Sequence, residues 1–218
     1  MDLNFSAMIL AAGYGKRMMP LTKDIPKPLL KINGITLLEN SILFLKKLGC
    51  NQIIINTHYK HLKIKSLINK LKDKNIMTLY ENEILDTGGG VKNAIPFFKN
   101  KNLLITNSDV FWLNKNIQDA KKLIENYFIN RKPHMLLINK NNAIGLNNKE
   151  GDFILNDNKI LRFKKGDKIF FYSGLQMLST NIFDIFDKKN FSFNDVWDYL
   201  ILKKELNGYV MKSNCYHV

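Results

Sequence analysis

Short apolar runs alternate with amphipathic stretches along most of this chain. Met8–Ala12 (MILAA) is long enough for one buried strand and too short for a stable helix. Thr36-x-x-Glu39 reads as a capping box that opens a helix to about Leu48, with Leu38, Ile42, Leu45 and Leu48 on one face and Gly49 as its stop. Gln52–Thr57 predicts a second strand. His61–Leu71 predicts a helix through Ile64, Leu67, Ile68 and Leu71, and Met77–Tyr80 a third strand. A glycine triplet, Gly88–Gly90, precedes a helix predicted over Val91–Phe98, and the strand Asn102–Thr106 runs into Asn107-Ser108-Asp109. A helix carrying Ile117, Ala120, Ile124, Tyr127 and Phe128 follows, then a strand over His134–Ile138.

The pattern changes after that point. Gly151–Leu155 and Lys159–Phe163, joined through Asn156-Asp157-Asn158, predict a hairpin. Lys168–Tyr172 and Gly174–Leu178 predict two strands around Ser173. Helices over Thr180–Phe186 and Asp195–Lys204 and closing strands over Tyr209–Met211 and Cys215–Val218 complete the reading. Strand and helix alternating in this way predict an α/β fold with a mostly parallel central sheet flanked by helices. In such sheets ligands sit at the carboxyl ends of the strands, which groups the loop after Ala12, the Asn56 region, the glycine triplet and Asp109 around one crevice.

Composition narrows the picture less than pattern does. At 218 residues, 45% hydrophobic and 24% charged, the chain fits one soluble α/β domain over 1–218. The net charge of +14 suits anionic substrates. Its lysines are dispersed and not interleaved with aromatics, so no nucleic-acid partner is expected. Two cysteines, Cys50 and Cys215, no leader pattern and no long apolar run predict a cytoplasmic protein without membrane association. The oligomeric state is not legible. His58 and His61 show no constellation and receive no role.

The chemistry concentrates between Met8 and Leu30. The first strand empties into Gly13 and Gly15, where the backbone can turn sharply and bring amides close to an anion. Lys16 and Arg17 add positive charge beside those amides, and Lys27 is held between Pro26 and Pro28. This is a phosphate-binding pattern. It is neither a Walker loop nor a dinucleotide fingerprint, whose third glycine is replaced by Met18.

The whole string L-A-A-G-Y-G-K-R-M-M-P-L-T, continued by P-K-P-L-L, resembles the signature of the sugar-phosphate nucleotidyltransferases, which make nucleoside-diphosphate sugars. The resemblance implies a Rossmann-like nucleotide-diphospho-sugar transferase fold and a Mg²⁺-dependent transfer of a nucleotidyl group from a nucleoside triphosphate to a sugar 1-phosphate. It implies catalytic roles for Arg17, Lys27 and Asp109, with Asp109 as the metal ligand. It implies nucleotide binding by Ala12, Gly13, Gly15, Lys16, Arg17, Lys27, Gly88, Gly89 and Asn107, and sugar contacts from Asn56, Asp152 and Gly174. The T-G-G-G form is most similar to the uridylyltransferases of N-acetylmuramate 1-phosphate, which implies UTP and cell-wall amino-sugar metabolism. The alternatives are a mannose-1-phosphate guanylyltransferase-like or glucose-1-phosphate-type enzyme, or a catalytically silent nucleotide-binding regulatory module. The family places a second metal-binding Asp in a D-x-G string near its C-terminus. Tyr216-His217-Val218 resembles the run-up to that string, so the sequence is either truncated ahead of the second ligand or lacks it.

Overall fold

A computed structural model describes residues 3–146, 151–163 and 169–218. Nine strands form the central sheet: β1 (Ser6–Leu10), β2 (Ile53–Thr57), β3 (Ile76–Tyr80), β4 (Asn102–Asn107), β5 (His134–Asn139), β6 (Phe153–Asn156), β7 (Lys159–Arg162), β8 (Phe170–Ser179) and β9 (Asn207–Val210). Their order across the sheet is β6-β7-β9-β5-β8-β4-β1-β2-β3. The helices are α1 (Leu37–Lys47), α2 (His61–Leu71), α3 (Asp86–Ala94), α4 (Asn116–Asn130) and α5 (Phe193–Leu202). None of the helices among the described residues is long and apolar enough to cross a membrane.

The sheet has parallel and antiparallel halves. β1 pairs parallel with β2 and β4, and β2 with β3, as the early alternation of strand and helix predicts. β8 then inserts antiparallel between β4 and β5, and β6 and β7 form an antiparallel hairpin. Phe153 pairs with Phe170, joining β6 back to β8. The sheet is therefore mixed and partly closed on itself, which corrects the expectation of a mostly parallel one. The hairpin turn is at Asp157 and Asn158, both at positive φ, as a two-residue turn of right-handed twist demands. The two strands expected around Ser173 are one strand, irregular between Tyr172 and Gln176, with Gly174 at φ +90°. Lys168, expected at its start, lies outside the described residues.

Helices cover both faces. Ala7 and Ile9 of β1 face a core shared with Leu38 and Ile42 of α1, Ile64 of α2 and Leu123 of α4. Met8 points the other way, into a core with Val91 of α3 and Val196 and Leu200 of α5. A strand buried on both sides is apolar wherever its side chains lack a hydrogen-bond partner, which is why MIL reads as a continuous run. The predicted capping box of α1 is present: Glu39 N–H donates to Thr36 Oγ1 at 3.1 Å, and Thr36 N–H to Glu39 Oε2 at 2.9 Å. Thr36→Ala is expected to lower stability by about 1 kcal/mol, seen as a lower urea midpoint at unchanged slope.

Both cysteine thiols are pushed up to about 12, chiefly by burial. At pH 8 neither is expected to react with a disulfide reagent until denaturant unfolds the chain. Unfolded thiols ionise near 8.5 while the folded ones keep their protons, so the native state binds more protons in between. Stability is therefore expected to fall as pH rises from about 8.5 towards 12, as a titration of the unfolding midpoint would record.

A small three-stranded sheet shapes the site. Cys215–His217 pairs antiparallel with Val110–Phe111 and parallel with Ala143–Ile144. Buried Asp119 of α4 anchors the segment that leads there, accepting from Lys212 N–H at 3.0 Å and from Ser213 Oγ at 2.6 Å. Val218 N–H then donates to the carbonyl of Asp109 at 3.0 Å.

Candidate active site

The exit of β1 is held from both sides. Ser108 N–H donates to Leu10 O at 3.2 Å, and Ala11 N–H donates to Asn56 Oδ1 at 2.9 Å. The chain then passes Gly13 and turns at Gly15, where φ is +65° and an added Cβ would meet Thr22 Cγ2 at 3.1 Å and Lys27 Cβ at 3.2 Å. Thr22, fully buried, donates its hydroxyl to Gly15 O at 2.9 Å and folds the loop back on itself. Lys16–Met18 is one tight helical turn, and a second begins at Lys27 between its two prolines. Lys27 Nζ donates to Asp109 Oδ2 at 3.0 Å. Eighty-two residues apart in the chain, these two groups form the centre of the site.

Two cavities meet at that pair. One, of about 450 Å³, is walled by Ala12, Gly13, Gly15, Lys16, Arg17, Lys27, Asn56, Asn107 and Asp109, together with Ile84, Asp86 and Thr87. The other, of about 440 Å³, shares Arg17, Lys27, Asn107 and Asp109 and adds Asp152, Tyr172, Asn194, Trp197, His217 and Val218. A site with two lobes and a cationic divide can hold two anions end to end, with their reacting phosphates at the divide. The Tyr172 phenol is pushed well above its ordinary value, by burial and then by the charge of Asp109, so it is neutral at physiological pH.

Nine of the sequence-predicted positions thus line the first cavity, and Asp152 lines the second. Three do otherwise. Asn56, expected as a sugar contact, lines the first cavity, and its amide is committed to Ala11 and Glu81. Gly88 and Gly89 are buried inside α3 and line neither cavity. An added Cβ would meet the Phe191 ring at 2.6 Å from Gly88 and Lys189 O at 2.3 Å from Gly89, so these glycines serve helix packing. The wall expected from them is made by Ile84, Asp86 and Thr87. Gly174 lines neither cavity; its added Cβ would meet Val110 Cγ2 at 2.7 Å. His58, given no role from sequence, lies 3.3 Å from the Tyr14 hydroxyl on the glycine loop, and His61 packs on Tyr80. Tyr172 and Trp197 escaped sequence reasoning because aromatics in apolar runs read as core.

No cluster of three or more potential metal ligands occurs among the described residues. Asp109 nevertheless fits a single cation contact. Its Oδ2 accepts from Lys27, while its Oδ1 is buried with no partner among the described residues. A carboxylate in that state suits a hard ion such as Mg²⁺, which takes few protein ligands and fills its shell with water and phosphate oxygens.

The nucleotidyl transferase family model matches residues 6–142. D-glycero-alpha-D-manno-heptose 1-phosphate guanylyltransferase of Aneurinibacillus thermoaerophilus is 31% identical over 160 residues, 73% of this chain and 66% of that protein. N-acetylmuramate alpha-1-phosphate uridylyltransferase of Neisseria meningitidis is 30% identical over 190 residues, 82% of this chain and 77% of that protein. Among solved structures, HddC from Yersinia pseudotuberculosis complexed with GMP-PN superposes with a TM-score of 0.76 at 26% identity, covering 98% of this chain and 92% of that one. The fold and site define an enzyme of the sugar-1-phosphate nucleotidyltransferase class. The chain belongs to the nucleotidyl transferase family.

Proposed function

We propose that the chain joins a nucleoside triphosphate to a sugar 1-phosphate, forming a nucleoside-diphosphate sugar and releasing pyrophosphate. The observation that carries this reading is the Lys27–Asp109 pair at the divide between two cavities. A phosphate oxygen of the sugar 1-phosphate attacks the α-phosphorus, a new P–O bond forms, and the bond to the β-phosphate bridging oxygen breaks. Both reactants are anions, so the catalyst must cancel their repulsion and hold them in line. The amides and charges of the Gly13–Arg17 loop take the triphosphate. Arg17, common to both cavities, stabilises the departing pyrophosphate, and Lys27 bridges the attacking and attacked phosphates. When bound at Asp109, Mg²⁺ would supply further positive charge to the phosphates. The second cavity takes the sugar, with Asp152 facing its hydroxyls.

For the base, guanylyl transfer to a neutral sugar 1-phosphate is the better supported reading, since two sequence relatives are heptose 1-phosphate guanylyltransferases and the Yersinia structure holds GMP-PN. Uridylyl transfer to N-acetylmuramate 1-phosphate is the second, favoured by a relative from Caulobacter vibrioides that aligns with 97% of the chain. Pyrophosphate release with Mg²⁺ across GTP, UTP, CTP, ATP and dTTP, paired with mannose, glucose, heptose and N-acetylmuramate 1-phosphates, decides between them. Turnover with GTP and a neutral sugar supports the first reading and exclusive use of UTP with N-acetylmuramate 1-phosphate the second. No turnover with any pair overturns the enzyme assignment.

A further inference from the structure

Glu81 is a carboxylate for which the proposed chemistry has no use, yet it is only 2% exposed. Burying a charge is costly unless its oxygens are well supplied with donors. The donors here are neutral amides: Asn56 Nδ2 at 2.8 Å on Oε1, and Leu85 N–H at 3.4 Å on Oε2. The helix beside it gives up side-chain volume to make room. An added Cβ at Gly90 of α3 would lie 2.8 Å from Asn56 Nδ2 and 2.9 Å from Glu81 Oε1. Burial pushes the Glu81 carboxyl above its ordinary value, and the bond from Asn56 opposes that rise.

The placement acts through Asn56. An ionised carboxylate only accepts hydrogen bonds, so it holds the amide nitrogen of Asn56 towards itself and turns the amide oxygen away. That oxygen accepts from Ala11 N–H, one residue past the end of β1 and two ahead of Gly13. With the amide reversed, two donors would face each other and the loop would be pushed off β2. A second tie runs through the same residue. His58 Nδ1 donates to Glu81 O at 2.8 Å, and its Nε2 lies 3.3 Å from the Tyr14 hydroxyl.

We propose that Glu81 is a positioning residue for the nucleotide lobe, orienting the Asn56 amide so that it fixes where the phosphate loop leaves β1. The proposal rests on the nucleotidyltransferase reading for the identity of the ligand. It is tested by equilibrium titration of GTP and of UTP, each with Mg²⁺, into the full chain and into Asn56→Asp, Glu81→Gln and the double variant. Asn56→Asp sets two carboxylates face to face. Glu81→Gln leaves one oxygen to serve two donors. Each single change is expected to weaken binding of the preferred nucleotide by about tenfold. In the double variant the introduced amide donates to the introduced carboxylate, which still accepts from Ala11 N–H, so affinity returns to within about threefold of the wild type.

A merely structural role would weaken both substrates together; here the KM of the sugar 1-phosphate is expected to stay within about twofold throughout. Two weakened single variants with recovery in the double support the proposal. Single variants that bind as the wild type does, a double no better than the singles, or a sugar KM that moves in step overturn it. Should Asn56→Asp fail to fold, Glu81→Gln against the double decides by the same criterion. A wild type that binds neither nucleotide overturns the nucleotidyltransferase reading, a result distinct from equal binding by all four proteins.

Discussion

Lys27→Ala is expected to lower kcat by about a thousandfold and to leave the fold in place, the scale of losing a preorganised charge aimed at a transition state. Lys27 Nζ is the cation common to both lobes that is ion-paired with Asp109, and its position is set by flanking prolines rather than by a flexible stem alone. Its side chain is 15% exposed and that of Asp109 30%, so the pair is partly desolvated and its loss is expected to cost about 1–3 kcal/mol of stability, too little to unfold the domain. Lys27→Arg is expected to restore little, because a planar fork cannot occupy the place of a compact ammonium between two phosphates. Steady-state turnover beside a urea unfolding curve checks both points. Near-normal kcat in Lys27→Ala would mean that the divide between the cavities is not the reacting centre.

Asp109→Asn is expected to move activity and stability in opposite directions. Turnover should fall by about a hundredfold or more, with a rise in the Mg²⁺ concentration needed for half-maximal rate, since charge stabilisation by a divalent ion is worth several kcal/mol. Stability should hold or rise. The buried Oδ1 of Asp109 has no partner among the described residues, and removing a charge from such an atom relieves a desolvation penalty. The Asn side chain keeps its shape and can still accept from Lys27 Nζ. Loss of turnover accompanied by a collapse in the unfolding midpoint would contradict this, making Asp109 a structural residue. Unchanged Mg²⁺ dependence would remove it as the metal contact.

The site was legible where chemistry is written in consecutive residues. Gly13, Gly15, Arg17 and Lys27 stand in one loop, and Asp109 ends a strand, so topology alone brings them to one edge of the sheet. It was illegible where residues of one type serve two ends. Gly88 and Gly89 read as an opening for a ligand, but the bodies they admit are Phe191 and the Lys189 carbonyl, partners a hundred residues away. Asn56 read as a sugar contact because its commitments to Ala11 and Glu81 are long-range. The antiparallel insertion of β8 was hidden for a related reason. A strand buried on both faces has the same apolar run whichever way it points, and its direction is fixed by partners on β4 and β5.

The bond from Val218 N–H to Asp109 O ties the wall of the second cavity to the backbone of the carboxylate at the divide. Asp119 of α4 anchors the same segment through Lys212 and Ser213, so a disturbance on that helix would reach Asp109 along the backbone rather than through the cleft.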